Sequence, residues 1–354
     1  MTKSEFIKFL SAFDLTSKRM ETLLDLTEGE YNFDKLISLD LKQIVGDKIA
    51  GNIRKYSNEE TYNELMFSLE KQNIKLITRE DPEFPKKLLD IEDAPYYLFC
   101  KGDLSLLNKT AISIVGSRKP SNYGITITER FAEELARAGV VIVSGLAYGV
   151  DSIAHRKTLD VKGKTIAVLG SGFNNVYPSQ HTNMAEEIAK KGLLISEYRP
   201  KVKATRFSFP KRNRIVAGLS EGVLITEASA KSGTFITKDF ALDNGITVYA
   251  VPGNITSDKS EGTNEIIASM QAVCTLSPKT ILSDLGIDSK AKKKALQLSI
   301  EEAKIVELLS TGEKDIEYLT ENVNFDIKKL NSLLTTLEIK SIIRRMPGGN
   351  YTLG

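Results

Sequence analysis

AISIVGSRKPSNYGITITERFAEELARAGVVIVSG, residues 111–145, is the stretch on which the fold turns. It opens with a β-branched run, passes through glycine, serine and two basic residues, and then changes period. ITERFAEELARAG spaces its apolar residues three and four apart and closes on a glycine able to cap a helix C-terminus. A second apolar run, VVIVSG (140–145), follows. Two strands apolar on both faces, joined through a helix, predict a parallel βαβ unit. The pattern recurs in TIAVLGS (165–171), LLISEY (193–198), GVLITEA (222–228) and TVYAVPG (247–253), with helical stretches such as TNMAEEIAKKG between them. The expectation is an α/β domain over 69–287 with a central, doubly wound, mostly parallel sheet. NIKLIT (73–78) and PYYLFCKG (95–102) extend that sheet or lie against it.

The flanks read differently. Residues 1–68 show short helices and no strand signal, which predicts a small all-α N-terminal domain. Its IVGDKIAGNI stretch resembles a helix-hairpin-helix or SAM-type turn only in outline, and packing is its expected role. GIDSKAKKKALQLS marks a linker, 288–298. Beyond it, 299–354 read as three helices and two short strands around a Pro-Gly-Gly turn, the outline of a winged helix. Its third helix offers only Lys328 and Lys329, so a protein-contact or structural role is expected rather than DNA reading.

Charge separates the parts further. Residues 1–68 hold 9 basic and 12 acidic side chains, and 295–354 hold 7 and 9. The middle, 69–294, holds 32 and 25, an excess of +7 in a chain whose net charge is +2. That excess concentrates in RPKVKATRFSFPKRNR (199–214), where seven of sixteen residues are basic and none is acidic. Such a footprint fits a phosphate-rich partner. Two cysteines, Cys100 and Cys274, make no disulfide framework, and two histidines make no multi-histidine metal site. No apolar run approaches the roughly 18 residues that span a bilayer, and the N-terminus lacks an apolar signal core. A cytoplasmic protein with no membrane contact, no metal and no cofactor is expected.

In an open parallel sheet, ligands bind beyond the carboxyl ends of the strands. GSRKPSNYG, SGLAYGVDSIAH, GSGFNNVYP, the basic stretch, EASAKSGTFIT and PGNITSDKSEGTN each follow a strand and so share that edge. Glycines admit an anion to the backbone, helix N-termini add partial positive charge, and arginine grips phosphate with two donors. The dinucleotide fingerprint fails, because Asn175 stands at the third glycine position after Gly170 and Gly172, and no GxxxxGK[ST] loop occurs. Seven cations exceed what a nucleotide diphosphate needs and suit an extended polyanion. Phe207 and Phe209 lie within the basic run, and Tyr123, Tyr148, Phe173 and Tyr177 lie on neighbouring loops, where rings can stack unpaired bases. Strand-like alternation would bury one of Phe207 and Phe209. Catalytic signals are thin: Asp151 is expected to cap its helix, and Glu227 to hold a loop backbone rather than act as a base.

SIVGSRKPSNYG, SGLAYGVDSIAH, VLGSGFNNVYP, ISEY, FPKRNRIVAGLS, SGTFIT and AVPGN, in this order, closely resemble the DprA/Smf family of DNA-processing proteins over about 70–285. The resemblance implies a Rossmann-like domain and a non-catalytic recombination mediator of natural transformation. Such proteins bind and protect single-stranded DNA, load the RecA recombinase, and often form homodimers through the Rossmann-like domain. It implies DNA contact at Gly116, Ser117, Arg118 and Lys119, at Arg206, at Phe209, Lys211, Arg212, Asn213 and Arg214, and at a second bed, Ser232, Gly233 and Thr234. Arg118, Arg206, Lys211, Arg212 and Arg214 would supply charge, with Asn213 fixing the loop or touching the backbone. The sequence departs from the family at Gly145-Leu146-Ala147-Tyr148, where a Gly-Gly-Ala-Arg run is commoner; Tyr148 removes a cation and leaves a ring. Two alternatives stay open: a nucleoside-monophosphate phosphoribohydrolase, which wants a carboxylate pair beside a compact site, and a winged-helix transcription factor with a sensor domain.

Overall fold

The run AISIV forms a strand whose five residues are all buried, as a strand covered on both faces requires. The computed structural model describes residues 1–287, 298–340, 342–346 and 349–353. Six helices lead: α1 (Lys3–Leu10), α2 (Ser17–Leu26), α3 (Phe33–Ser38), α4 (Leu41–Val45), α5 (Asp47–Tyr56) and α6 (Glu59–Lys71). The sheet strands are β1 (Lys75–Thr78), β2 (Tyr97–Gly102), β3 (Ala111–Val115), β4 (Val141–Ser144), β5 (Thr165–Leu169), β6 (Leu193–Ser196), β7 (Gly222–Ile225), β8 (Thr247–Ala250) and β9 (Val273–Cys274). From β3 onward each strand is followed by a helix. These are α7 (Asn122–Arg137), α8 (Val150–Asp160), α9 (Thr182–Lys191), α10 (Ser208–Gly218), α11 (Phe235–Asp243), α12 (Glu261–Ala268) and α13 (Pro278–Asp284).

The nine strands run in the order β1-β2-β6-β5-β4-β3-β7-β8-β9. β6 through β9 are parallel, and β1 and β2 add an antiparallel edge, so both weak runs extend the sheet. The alternation of side chains along each strand feeds two cores. Ile112, Ile114, Ile142 and Leu224 face α7, α8 and α13, whereas Val115, Val143, Val223 and Ile225 face α10 and α11. The chain winds outward from β3 in both directions, so the strand order reverses between β3 and β7. Their register pairs Val115 with Ile225, which sends both chains out side by side at the switch point.

Helices α1 to α6 do not stand apart. Phe6, Phe9, Leu10, Met20 and Ile53 share one buried cluster with Leu76, Tyr97 and Phe99 of β1 and β2. IVGDKIAGNI forms a turn between α4 and α5 at Gly46, whose φ of 85° no β-branched residue would adopt cheaply. Val45, Ala50 and Ile53 around it are buried in that cluster, which is the packing role expected.

The chain divides into two compact units, Met1–Ser289 and Lys290–Gly354. The second holds α14 (Ile300–Leu309), α15 (Ile316–Asn322) and α16 (Ile327–Ile339), then an antiparallel hairpin of β10 (Ile343–Arg345) and β11 (Tyr351–Leu353). Ile305, Leu319, Leu330, Leu334, Leu337 and Ile343 form its core. On α16, Lys329 is paired with Glu301, leaving Lys328 exposed; Arg344 and Arg345 on the hairpin are exposed as well. The expected linker lies outside the described residues except for Leu298, as do Pro347 and Gly348 of the turn. Among the described residues no helix is long and apolar enough to cross a membrane.

Candidate nucleic-acid interface

A cleft of about 630 Å³ opens at the switch point. The loop after β3 supplies Gly116, Ser117, Arg118 and Lys119. The loop after β4 supplies Gly145 and Ala147, α10 supplies Phe209, Arg212 and Asn213, and the entry to α11 supplies Ser232, Gly233 and Thr234. Arg206 completes the rim. The structure therefore gathers most of the sequence-expected residues in one place, although they come from four separate segments.

The glycines divide into two kinds. A Cβ on Gly116 would lie 2.8 Å from Glu227 O and from Val150 Cγ2, and one on Gly145 would lie 2.5 Å from the Arg212 guanidinium. These two are small because protein packs against them, not because an anion approaches. The Ser117 N–H is likewise committed, donating to Glu227 O at 2.8 Å. Gly233 differs, for nothing lies within 4 Å of where its Cβ would be. Ser232 Oγ accepts from Thr234 N at 3.2 Å and donates to Thr234 Oγ1 at 2.9 Å, which fixes the turn around it. The N-terminus of α11, with its partial positive charge, starts at this open bed.

The cations also separate. Arg118 and Lys119 are exposed, and neither forms an ion pair among the described residues. Arg206 is exposed, its guanidinium carbon 4.6 Å from the centroid of the Phe207 ring. Arg212 and Arg214 depart from the expectation of exposed phosphate contacts. Arg212 is 6% exposed and donates to the carbonyls of Gly145 and Val168. Arg214 is 2% exposed and held by Glu197 at 2.7 Å and Asp93 at 3.1 Å. Lys211 turns toward the same Glu197, at 3.7 Å, and lies off the cleft lining. Arg199, the first residue of the basic stretch, donates to Ala12 O at 2.6 Å and to Asp14 at 2.7 Å, tying the stretch to the loop before α2.

The cause is a helix that begins early. The sequence places an apolar helix after Arg214, whereas α10 starts at Ser208. Pro210 is tolerated there because first-turn N–H groups have no intrahelical acceptor. Helical spacing then sets Phe209, Arg212, Asn213 and Val216 on the cleft side and turns Lys211 and Arg214 away. It also replaces the alternation argument for the aromatics. Phe207 is 70% exposed at the N-cap, and Phe209 is half-buried with its ring 5.2 Å from that of Tyr177. Phe173 packs against the apolar clusters around α9 and the N-terminal helices. Sequence reasoning passed over Lys231, exposed on the loop that carries Ser232, and Lys259, whose Nζ donates to Lys119 O at 2.9 Å. Each is a lone cation among small polar residues, so local composition gave no signal.

The acidic groups near the cleft are occupied. Asp151 does not cap α8, whose N-cap is Gly149. Its Oδ2 accepts from Gly145 N at 3.0 Å and Ala147 N at 3.3 Å, closing the loop after β4. Burial pushes the Asp151 carboxyl up, and the nearby Arg212 charge opposes that. Burial pushes the Arg212 guanidinium down, with Asp151 opposing in turn. Glu227 receives Ser121 N at 3.0 Å and the Ser121 hydroxyl, which anchors the start of α7 as a loop-holding role predicts. Among the described residues no cluster of three His, Cys, Asp or Glu side chains forms a metal site.

His155 is fully buried beside this loop. Thr165 gives its hydroxyl proton to Ile142 O, so His155 Nδ1 donates to Thr165 Oγ1 at 2.7 Å, and Nε2 is left without a partner. Burial pushes the imidazole down to about 3. An unfolded histidine titrates near 6.5, so between these values the unfolded chain holds the extra proton. Stability is full above about pH 6.5 and falls as pH drops, by up to about 1.4 kcal/mol per pH unit from this group. Urea unfolding at pH 7, 6 and 5 is expected to show a steeper loss in the wild type than in His155→Gln; parallel losses would refute a neutral, buried imidazole.

The chain is a doubly wound α/β protein with an open, cation-rimmed cleft at the switch point of its sheet. A family model for DNA recombination-mediator protein A matches residues 75–286, and the chain belongs to this DprA/Smf family. It is 38% identical over 236 residues to the DNA processing protein DprA of Bacillus subtilis, a match spanning 66% of this chain and 80% of that one. It is 41% identical over 218 residues to protein Smf of Escherichia coli, spanning 61% of this chain and 58% of that one. The X-ray structure of DprA from Streptococcus pneumoniae aligns with a TM-score of 0.65 at 33% identity, covering 80% of this chain and 99% of that one. DNA processing protein A from Helicobacter pylori, whose structure was reported for its single-stranded DNA binding mode, aligns with a TM-score of 0.55 at 33% identity, covering 60% and 97%.

Proposed function

We propose that the cleft holds the backbone of single-stranded DNA and that the protein protects incoming strands and loads the RecA recombinase onto them during natural transformation. The observation that carries the strand-binding part is the set of exposed cations Arg118, Lys119 and Arg206, without an ion pair among the described residues, around the open Gly233 bed. Arginine donors and a helix N-terminus are the groups that hold phosphate. The exposed Phe207 ring beside Arg206 offers a stacking face that an unpaired base can use. The single-strand binding of the Helicobacter pylori relative supports the same reading. The loading and protection parts have family membership as their support.

The role is non-catalytic and needs no metal or cofactor. A phosphoribohydrolase would ask for a free carboxylate pair, whereas Asp151 and Glu227 are tied to loop backbone. A homodimer through the Rossmann-like domain completes the proposal. Its best support is the open outer edge of β9, where Met270 is 92% and Leu276 73% exposed. The test is competition between a labelled single strand and an unlabelled duplex of equal length, with nucleoside monophosphates in a parallel turnover assay. Preference for the single strand and no turnover are expected. Equal affinity for both forms, or turnover, would favour the small-nucleotide reading.

A further inference from the structure

We propose that Tyr148 and Tyr177 form a base-stacking platform beside the phosphate cleft, and that this platform selects unpaired over paired strands. The inference rests on the single-strand reading of the cleft and names what binds next to it.

Two loops bring these rings together. Tyr148 lies after β4 and Tyr177 after β5; they are 40% and 52% exposed. Together with Arg118 and Phe209 they line a slot that adjoins the main cleft. Arg118 lines both spaces, so the base next to a phosphate held on Arg118 falls beside the two rings. The slot itself is about 20 Å³, little more than one water occupies. A base therefore stacks on the outer ring faces rather than entering between them.

The rings are held in place before any ligand arrives. The Tyr148 hydroxyl donates to Gln180 Oε1 at 2.6 Å, and its ring meets His181 edge-on at 5.2 Å. His181 Nδ1 is in turn 2.9 Å from Leu146 O. Tyr177 leans on Phe209, 5.2 Å between centroids. Leu146 is fully buried at a φ of 58°, an unfavourable conformation for a leucine. That turn buries Leu146 while leaving Tyr148 two residues on at the surface. Backbone strain kept at the rim of a binding cleft, delivering a ring to its mouth, points to use of that ring. Fixed rings lose little freedom on binding, which favours affinity. In a duplex both faces of each base are covered by neighbouring pairs, so only an unpaired strand can offer a face.

The test compares an oligothymidylate with an abasic deoxyribose-phosphate strand of the same length, by fluorescence anisotropy. The double variant Tyr148→Ala/Tyr177→Ala is expected to bind thymidylate about tenfold more weakly and to bind the abasic strand within about twofold of wild type. Arg118→Ala is expected to weaken both. Tyr148→Phe, which keeps the ring and loses the hydroxyl, is expected to retain thymidylate affinity. Equal loss on both strands in the double variant, or no loss on either, would overturn the platform. A wild type that binds the two strands equally would overturn it while leaving phosphate binding intact. A wild type that binds neither would end the single-strand reading and this inference together.

Discussion

Arg212→Ala is expected to lower the unfolding free energy by about 3–5 kcal/mol in urea denaturation. The guanidinium sits at the floor of the cleft with 6% exposure and donates to the carbonyls of Gly145, just after β4, and Val168, near the end of β5. Truncation leaves both carbonyls without that donor, each costing about 1–3 kcal/mol when buried. It also removes the positive charge that opposes the upward push of burial on the Asp151 carboxyl. Gly145 has no Cβ because one would strike this guanidinium at 2.5 Å, so the loop after β4 is shaped around Arg212. Arg212→Lys keeps the charge but cannot reproduce the fork of donors, and an intermediate loss is expected. Unchanged stability with lost DNA binding would show instead that the guanidinium faces the strand.

Arg118→Ala is expected to do the opposite. The side chain is exposed and unpaired among the described residues, so stability should stay within about 0.5 kcal/mol of wild type. Loss of a charge-assisted phosphate contact is worth about 1.5–3 kcal/mol, or roughly 10- to 150-fold in affinity for a single strand. Urea denaturation and strand titration of the same preparation check both halves. The pair of variants separates the cation that builds the cleft from the cation that serves it. A large stability loss in Arg118→Ala would contradict that division.

Much of this was legible because parallel strands need continuous apolar runs, and six such runs marked β3 to β8 within a few residues. β9, two residues long, gave no such signal. The cleft was legible through the switch-point rule, which places every βα loop on one edge. What failed was the assignment of charge. The sequence assigns phosphate charge to Lys211, Arg212 and Arg214 alike, with an internal salt bridge open only for Arg214, yet α10 starts at Ser208 and rotates these residues by helical period. Arg214 finds Asp93 at 121 positions' remove, a partner that no local pattern announces. The glycines misled in the same way. Gly116 and Gly233 look equivalent in sequence, but one admits Val150 and Glu227 and the other faces open space. Burial and pairing are tertiary facts, and they decide which of seven cations remain free.

The measurement that tests the central claim most directly is a salt series of single-strand binding by wild type and Arg118→Ala. The account predicts a steep log–log dependence for wild type, about −0.7 for each phosphate neutralised, and a slope shallower by about one such step in the variant. A flat dependence in wild type, or identical slopes in the two proteins, would contradict the claim that the exposed cations of this cleft hold the DNA backbone.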